Sequence, residues 1–348
     1  MQIEIITTPN DALKESGFGS LKACKNVLTA IQNMDHDVRL NICDSREDLD
    51  DIVSRRPDLV VLAVKYIQIN QDNKNKETNI WLSEYFSKHK INFTGSSRDV
   101  LEFDSNKVLA KVHLANKGIN TAKYFLAIPG EYKTESDLPV SFPLFLKPLD
   151  AANGNGIDDL SFVTDMAGYK SKIASLYKSF KQPILVEEYL DGREFTVAIF
   201  KPTNQALIVS AVEVVPPTSN HGLRILGAKT KTDDSENLIE IVDEEVKNNI
   251  QTLAIDAFYS LGVRDFGRID IKTNNHGECF FMEANLVPGM TQSSSYFPEA
   301  CHIENSFTYN KVVELLLAGG LARAATTIPP HFQPDTEHKL DIESQRIH

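Results

Sequence analysis

Between Phe266 and Asn285 the chain reads Phe-Gly-Arg-Ile-Asp-Ile-Lys-Thr-Asn-Asn-His-Gly-Glu-Cys-Phe-Phe-Met-Glu-Ala-Asn, two alternating runs around a turn signal. Alternation with a period of two is the signature of a strand with one buried and one open face. A two-residue turn at His276-Gly277 predicts a hairpin that sets Asp270 opposite Glu283 and Arg268 opposite Asn285. Ile269, Ile271, Met282 and Ala284 then share the other face and anchor it in the core. Whatever surrounds this hairpin has to leave a polar cleft on one side of a sheet. Two opposed carboxylates repel unless something positive lies between them. Oxygen donors only (Asp270, Glu283, Asn285) beside an arginine suit Mg²⁺ holding a phosphate better than zinc or copper. A solvated hairpin face with tolerated charges is the competing reading.

At 348 residues the chain is about twice the usual length of one domain, so two or three domains are expected. The 42% hydrophobic and 24% charged content suits a soluble globular protein. Lys+Arg 36 against Asp+Glu 48 gives a net −12, which excludes a global positive field for nucleic acid or anionic lipid. A polyanionic ligand therefore needs a local basic pocket. Cys24, Cys43, Cys279 and Cys301 are far apart and lack metal-finger spacing, arguing against a disulfide framework and for a reducing, cytoplasmic setting. The start Met1-Gln-Ile-Glu-Ile-Ile reads as a strand rather than a signal peptide, and no apolar run approaches a membrane span of about 20 residues.

The fold class expected is α/β, opening with a parallel α/β sheet. Residues 1–100 alternate strand and helix, with strands over 3–6, 38–42 and 59–64 and helices over 21–34 and 80–88. The run Leu59-Val-Val-Leu-Ala-Val64 is apolar throughout, as in a strand buried on both faces. A second block, 101–183, carries a helix near 106–117, strands at 144–147 and 160–163, and a helix over 169–180. A third, 184–322, opens with a strand at 184–188 and holds a helix near 244–261, the hairpin, and a helix over 307–318. The remainder, 323–348, reads as a loose tail in which Ile328, Phe332 and Leu340 could dock.

Lysines recur where this architecture could present them. Lys147 ends a strand and runs into Asp150-Ala-Ala-Asn153-Gly154-Asn155-Gly156. Glycines let backbone N–H groups approach phosphate oxygens, and the lysine adds a point charge. A plain Asn-Gly hairpin turn remains the alternative, and the loop is no Walker motif. With Ser105 as N-cap, Lys107 falls in the first helical turn, where the macrodipole disfavours a cation unless an anion sits nearby or the side chain points to water. Lys111 lies one turn on, on the same face. The segment Ile184-Leu-Val-Glu187-Glu188-Tyr189-Leu190-Asp-Gly-Arg-Glu194 is by itself a generic strand–turn–strand. Gly17-Phe-Gly19 lacks the third glycine of a dinucleotide fingerprint, and the histidines form no visible triad.

In this order, these segments resemble the ATP-grasp superfamily, and within it the D-alanine–D-alanine ligases. The resemblance rests on Gly267-Arg-Ile-Asp-Ile, on Phe281-Met-Glu-Ala-Asn-Leu-Val-Pro-Gly-Met-Thr291 with Ser293-Ser294, and on Val186-Glu-Glu-Tyr-Leu-Asp-Gly-Arg-Glu-Phe-Thr-Val197. It covers about residues 90–320. The resemblance implies that Lys107 and Lys147 contact ATP phosphates, with Asn153 and Gly154 in the glycine-rich loop and Lys229 at a phosphate loop. It places adenine at Glu187, Glu188 and the backbone near Leu190, and ribose at Glu194. Asp270, Glu283 and Asn285 would hold two Mg²⁺ ions (or Mn²⁺), Arg268 and the Gly289 backbone would stabilise an oxyanion, and Ser294, with Ser293 beside it, would bind a substrate carboxylate. The implied reaction is phosphorylation of one amino acid's carboxylate by ATP, then displacement of phosphate by the amine of a second, in a homodimeric enzyme.

Departures concentrate where the first amino acid should bind. Only Glu15 is available after the first strand to grip an ammonium group. The family's His-Gly…Gly-Glu-Asp-Gly loop is replaced by Lys65-Tyr-Ile-Gln-Ile-Asn-Gln71, its loop serine appears as Asn153, and the tyrosine after Lys229 appears as Thr230. A ligase for another amino-acid pair or small carboxylate therefore stays open, as does a nucleotide-binding regulatory protein without turnover.

Overall fold

A computed structural model describes residues 1–70, 77–149, 154–203, 205–219 and 222–327. Asn153 and the tail from 328, with Ile328, Phe332 and Leu340, lie outside the described residues.

Strand Gln2–Thr7 is flanked in parallel by Asp37–Ile42 and Leu59–Leu62. Helix Leu21–Gln32 turns Ala23, Val27, Ala30 and Ile31 inward, and Ser20 caps it by accepting from the Ala23 N–H. The expected parallel sheet is thus present. The chain then departs from expectation: Tyr66–Asn70 pairs antiparallel with Glu77–Trp81, so Ile80 lies in a strand and the helix starts at Leu82. Beyond that helix, a single parallel bridge ties Phe93 to Val60.

A four-stranded sheet follows in the order Tyr124–Ala127, Ile184–Glu188, Leu144–Pro148, Phe162–Val163, with helix Met166–Phe180 packed on it. Strand Ile184–Glu188, the first of the third block, lies between two strands of the second. Sequence order hid this, because the strand pairs with segments forty and sixty residues upstream.

The five-stranded antiparallel sheet runs Asn237–Glu240, Ile208–Val215, Glu194–Phe200, Phe266–Thr273, Cys279–Asn285. Helix Glu244–Ser260, capped by Asp243, turns Ile250, Ala254, Ala257 and Phe258 onto one face of it. The other face of the hairpin stays open over the cleft. The last helix, Tyr309–Thr327, continues well past Ala318 and takes in residues assigned to the loose tail. Arg323 explains the extension: it grips both oxygens of Asp265 at 2.7 Å and donates to the Phe93 carbonyl at 2.9 Å.

Candidate active site

The hairpin delivers Asp270 opposite Glu283 and Arg268 opposite Asn285, as expected, by a different route. The turn is the longer Asn274–Glu278 loop, in which the Asn274 carboxamide accepts from the His276 and Glu278 N–H groups. That loop shifts the pairing by one residue, and a bulge between Asp270 and Ile271 shifts it back. Phe281 rather than Met282 consequently enters the core, and Met282 joins Glu283 on the cleft side. Asp270 is held by the Arg268 fork at 3.0 and 2.9 Å, by Asn285 Nδ2 at 3.0 Å and by Thr196 Oγ1 at 2.7 Å.

Asn106, not Ser105, caps helix Lys107–Ala115, because its side chain accepts from the Leu109 N–H at 3.0 Å while Ser105 ends the preceding helix. Lys107 is then the first helical residue. The anion that its position demands is Glu283, whose Oε2 lies 3.3 Å from Lys107 Nζ. Burial would raise the pKa of Glu283, but Lys107, Lys231, Lys147 and Arg268 hold it well below the ordinary carboxylate range. Four cations thus converge on one carboxylate, which is a field prepared for further negative charge.

Glu187 lines the first cavity and also has two buried cationic partners. Its two oxygens face Lys111 Nζ at 2.8 Å and Lys147 Nζ at 2.7 Å, all three groups buried, so it is first the counter-ion of two lysines. Burial opposes its charge, yet the two lysines hold its pKa down to about 2. Burial pulls Lys111 below the usual lysine value; burial also acts most strongly on Lys147, but Glu187, Glu283 and Glu194 together outweigh it and raise its pKa. Lys147 is the firmer cation of the pair.

Two cavities meet at these groups. The first is lined by Lys107, Lys147, Gly154, Glu187, Glu188, Leu190, Glu194, Asp270 and Glu283, with Phe145, Tyr189, Leu226 and Met282 as apolar walls suited to a flat ring. The second is lined by Glu15, Arg268, Asn285, Gly289 and Ser294, and shares Lys107, Asn155, Lys231, Glu283 and Tyr296 with the first. Gly154 closes the first against Gly227: its φ is +70°, and a Cβ there would lie 2.9 Å from the Gly227 carbonyl carbon.

Two expected residues fall outside. Ser293 adopts φ 62° in an exposed turn, whereas Ser294, also exposed, and Ser295 line the second cavity. Lys229 points away, ion-paired with Asp233 and 89% exposed. Two residues on in helix Ala228–Asp233, nearly on the opposite face, Lys231 enters both cavities. Sequence reading also missed Tyr296, Glu236, Lys65, Tyr66 and Asp104, all lining the second cavity. Only the basic residue at 65, directly after a buried strand, hinted at them. Among the described residues no three His, Cys, Asp or Glu side chains form a self-sufficient metal cluster. Asp270, Glu283 and Asn285 supply oxygen donors that fit Mg²⁺ sharing its coordination with phosphate.

Comparison with known proteins adds to this geometry. The family model described as D-ala D-ala ligase C-terminus matches residues 114–318. A D-alanine–D-alanine ligase of Aquifex aeolicus is 28% identical over 301 residues, 86% of this chain and 94% of that protein. One from Marinomonas sp. is 30% identical over 203 residues, 58% of this chain, and the chain spans only 61% of that relative's length. The crystal structure of the Bacillus anthracis D-alanine–D-alanine ligase complexed with ATP superposes with a TM-score of 0.70 at 18% identity, covering 94% of this chain and 99% of that one. No described helix is long and apolar enough to cross a membrane.

Proposed function

The chain belongs to the D-alanine–D-alanine ligase family, and from that premise we propose that it is an ATP-dependent, ADP-forming ligase joining the carboxylate of one amino acid to the amine of another. Its fold is the ATP-grasp fold. The observation that carries the proposal is the convergence of Lys107, Lys147, Lys231 and Arg268 on Glu283 at the junction of the two cavities.

ATP takes the first cavity, its base among Phe145, Leu190 and Met282 and its ribose at Glu194. Lys107, Lys147 and Lys231 receive the phosphates, so Lys231 takes the part that the family resemblance assigned to Lys229. Asp270, Glu283 and Asn285 would hold Mg²⁺, which when bound neutralises phosphoryl oxygens. The carboxylate of the first amino acid attacks the γ-phosphorus, giving an acyl phosphate and ADP. Arg268 and the Gly289 N–H face the oxygen on which charge develops as the second amine attacks the acyl carbon, and phosphate leaves. A homodimer in the cytoplasm completes the reading.

D-Alanine is the first substrate to try. A different amino-acid pair is the second reading, favoured by Lys65 and Tyr66 in the wall of the second cavity. The test is ADP release with ATP, Mg²⁺ and a matrix of single and paired D- and L-amino acids, with products weighed by mass spectrometry. A D-alanine dipeptide supports the first reading, and another dipeptide the second. No amino-acid-dependent ADP across the matrix overturns both.

A further inference from the structure

One acidic oxygen in the second cavity has nothing to hold. Glu236 follows helix Ala228–Asp233 and accepts a hydrogen bond on Oε1 from the Tyr296 hydroxyl. Its Oε2 is shielded from solvent and has no hydrogen-bond partner among the described residues. Nor does any described lysine or arginine form an ion pair with it. A carboxylate oxygen taken out of water without a partner is costly, and an incoming ammonium group removes that cost.

Tyr296 fixes where this oxygen stands. Its ring lies under the Arg268 guanidinium at 5.4 Å, and it begins helix Tyr296–Asn305 two residues after Ser294. Burial, followed by the bond to Glu236, pushes the phenol's pKa up, so Tyr296 stays the donor of that bond. Through Tyr296, Glu236 is therefore held in the same cavity that Arg268 and Ser294 line. Glu15, another carboxylate that lines the cavity, comes from helix Asp11–Glu15 in the N-terminal part of the chain. Two amino acids bring two amino groups.

We infer that Glu236, aimed by Tyr296, seats the ammonium group of the amine-donating amino acid. This rests on the ligase reading above. Tyr296 is a positioning residue, acting through Glu236.

The test compares wild type with Glu236→Gln and Tyr296→Phe in the full chain, using ATP, Mg²⁺ and D-alanine, or the pair that the substrate matrix identifies. Dipeptide formation is measured beside trapping of the acyl phosphate by hydroxylamine, a nucleophile that is neutral near pH 7 and needs no carboxylate seat. Glu236→Gln is expected to raise the KM of the second amino acid by about 10- to 100-fold. The KM of ATP, the hydroxamate rate and the melting temperature should stay near wild type, and Tyr296→Phe should shift the same KM less. An unchanged KM for the second amino acid overturns the inference alone, as does an equal loss of hydroxamate. A wild type silent with every amino acid overturns the ligase reading and this inference with it.

Discussion

Asp270 stands directly opposite Glu283, yet one step toward the turn Ile271 faces Phe281, and Met282 has no partner across the ladder. In a regular strand, neighbouring side chains alternate between faces. The bulge suspends that rule for one residue, so Met282 and Glu283 line the same cavity. An apolar thioether thereby lies next to the charged cluster, where a purine ring can rest on it.

Met282→Ala is accordingly expected to weaken ATP more than it weakens the fold. Loss of a methylene, a sulfur and a methyl group from a binding wall costs about 1–2 kcal/mol, or roughly a 5- to 30-fold rise in the KM of ATP. The melting temperature should move by less than about 3 °C, because the side chain faces the cavity rather than the core. A KM for ATP equal to wild type would show that the base does not rest there.

Lys229 and Lys231 stand two positions apart in one short helix and face opposite ways. Lys231→Ala should lower kcat/KM for ATP by about 10- to 100-fold, as expected for a charged contact to phosphate. Lys229→Ala should stay within about 2-fold, since its exposed pair with Asp233 contributes little. The reverse ranking in steady-state ADP assays would return the phosphate contact to Lys229.

These two lysines mark where the sequence ceases to inform. Residue types and alternation were enough to set Asp270 opposite Glu283 and to place Lys107 at a helix start, because both depend on local periodicity. The side on which a six-residue helix faces depends on how its loop closes over Gly154, which no local pattern encodes. The burial of Glu187 was equally hidden: its partners Lys111 and Lys147 lie on a helix and a strand brought together only by the tertiary fold. The hairpin turn was misread, and the result survived because the bulge cancels the longer loop.

The buried triad of Glu187, Lys111 and Lys147 gives stability a pH dependence. Glu187 titrates near 4.5 when unfolded and near 2 when folded, so the native state holds its proton less tightly. Its contribution, roughly 3 kcal/mol, is present in full above the unfolded pKa and disappears as pH falls from about 4.5 toward 2. Urea unfolding at pH 7, 4 and 3 should show that loss. Lys147→Met, which leaves Glu187 with one weakened cation, should cost about 3–5 kcal/mol at pH 7 and move the acid transition upward. Identical acid profiles for wild type and Lys147→Met would mean that the triad does not govern the transition.

Lys65 offers a last test of how the second cavity is built. Its Nζ lies 2.5 Å from Asp104 Oδ1, with both side chains almost fully buried. The other oxygen, Asp104 Oδ2, accepts from the Leu286 N–H at 2.6 Å and the Val287 N–H at 3.4 Å. One carboxylate thus joins the end of the N-terminal sheet to the segment leading into Gly289. Removing either charge alone strands the other, so Lys65→Met and Asp104→Asn should each destabilise by about 3 kcal/mol. In the double variant the two losses should not add, because the interaction is shared, and a coupling of about 1–3 kcal/mol is expected in urea titrations. The two single variants should differ in catalysis. Asp104→Asn releases the backbone before Gly289 and should lower kcat, whereas Lys65→Met keeps that backbone held and should act chiefly on the amino-acid KM. Full additivity in the cycle would show that the contact contributes no coupling, and equal kinetic effects would show that Asp104 does not position Gly289.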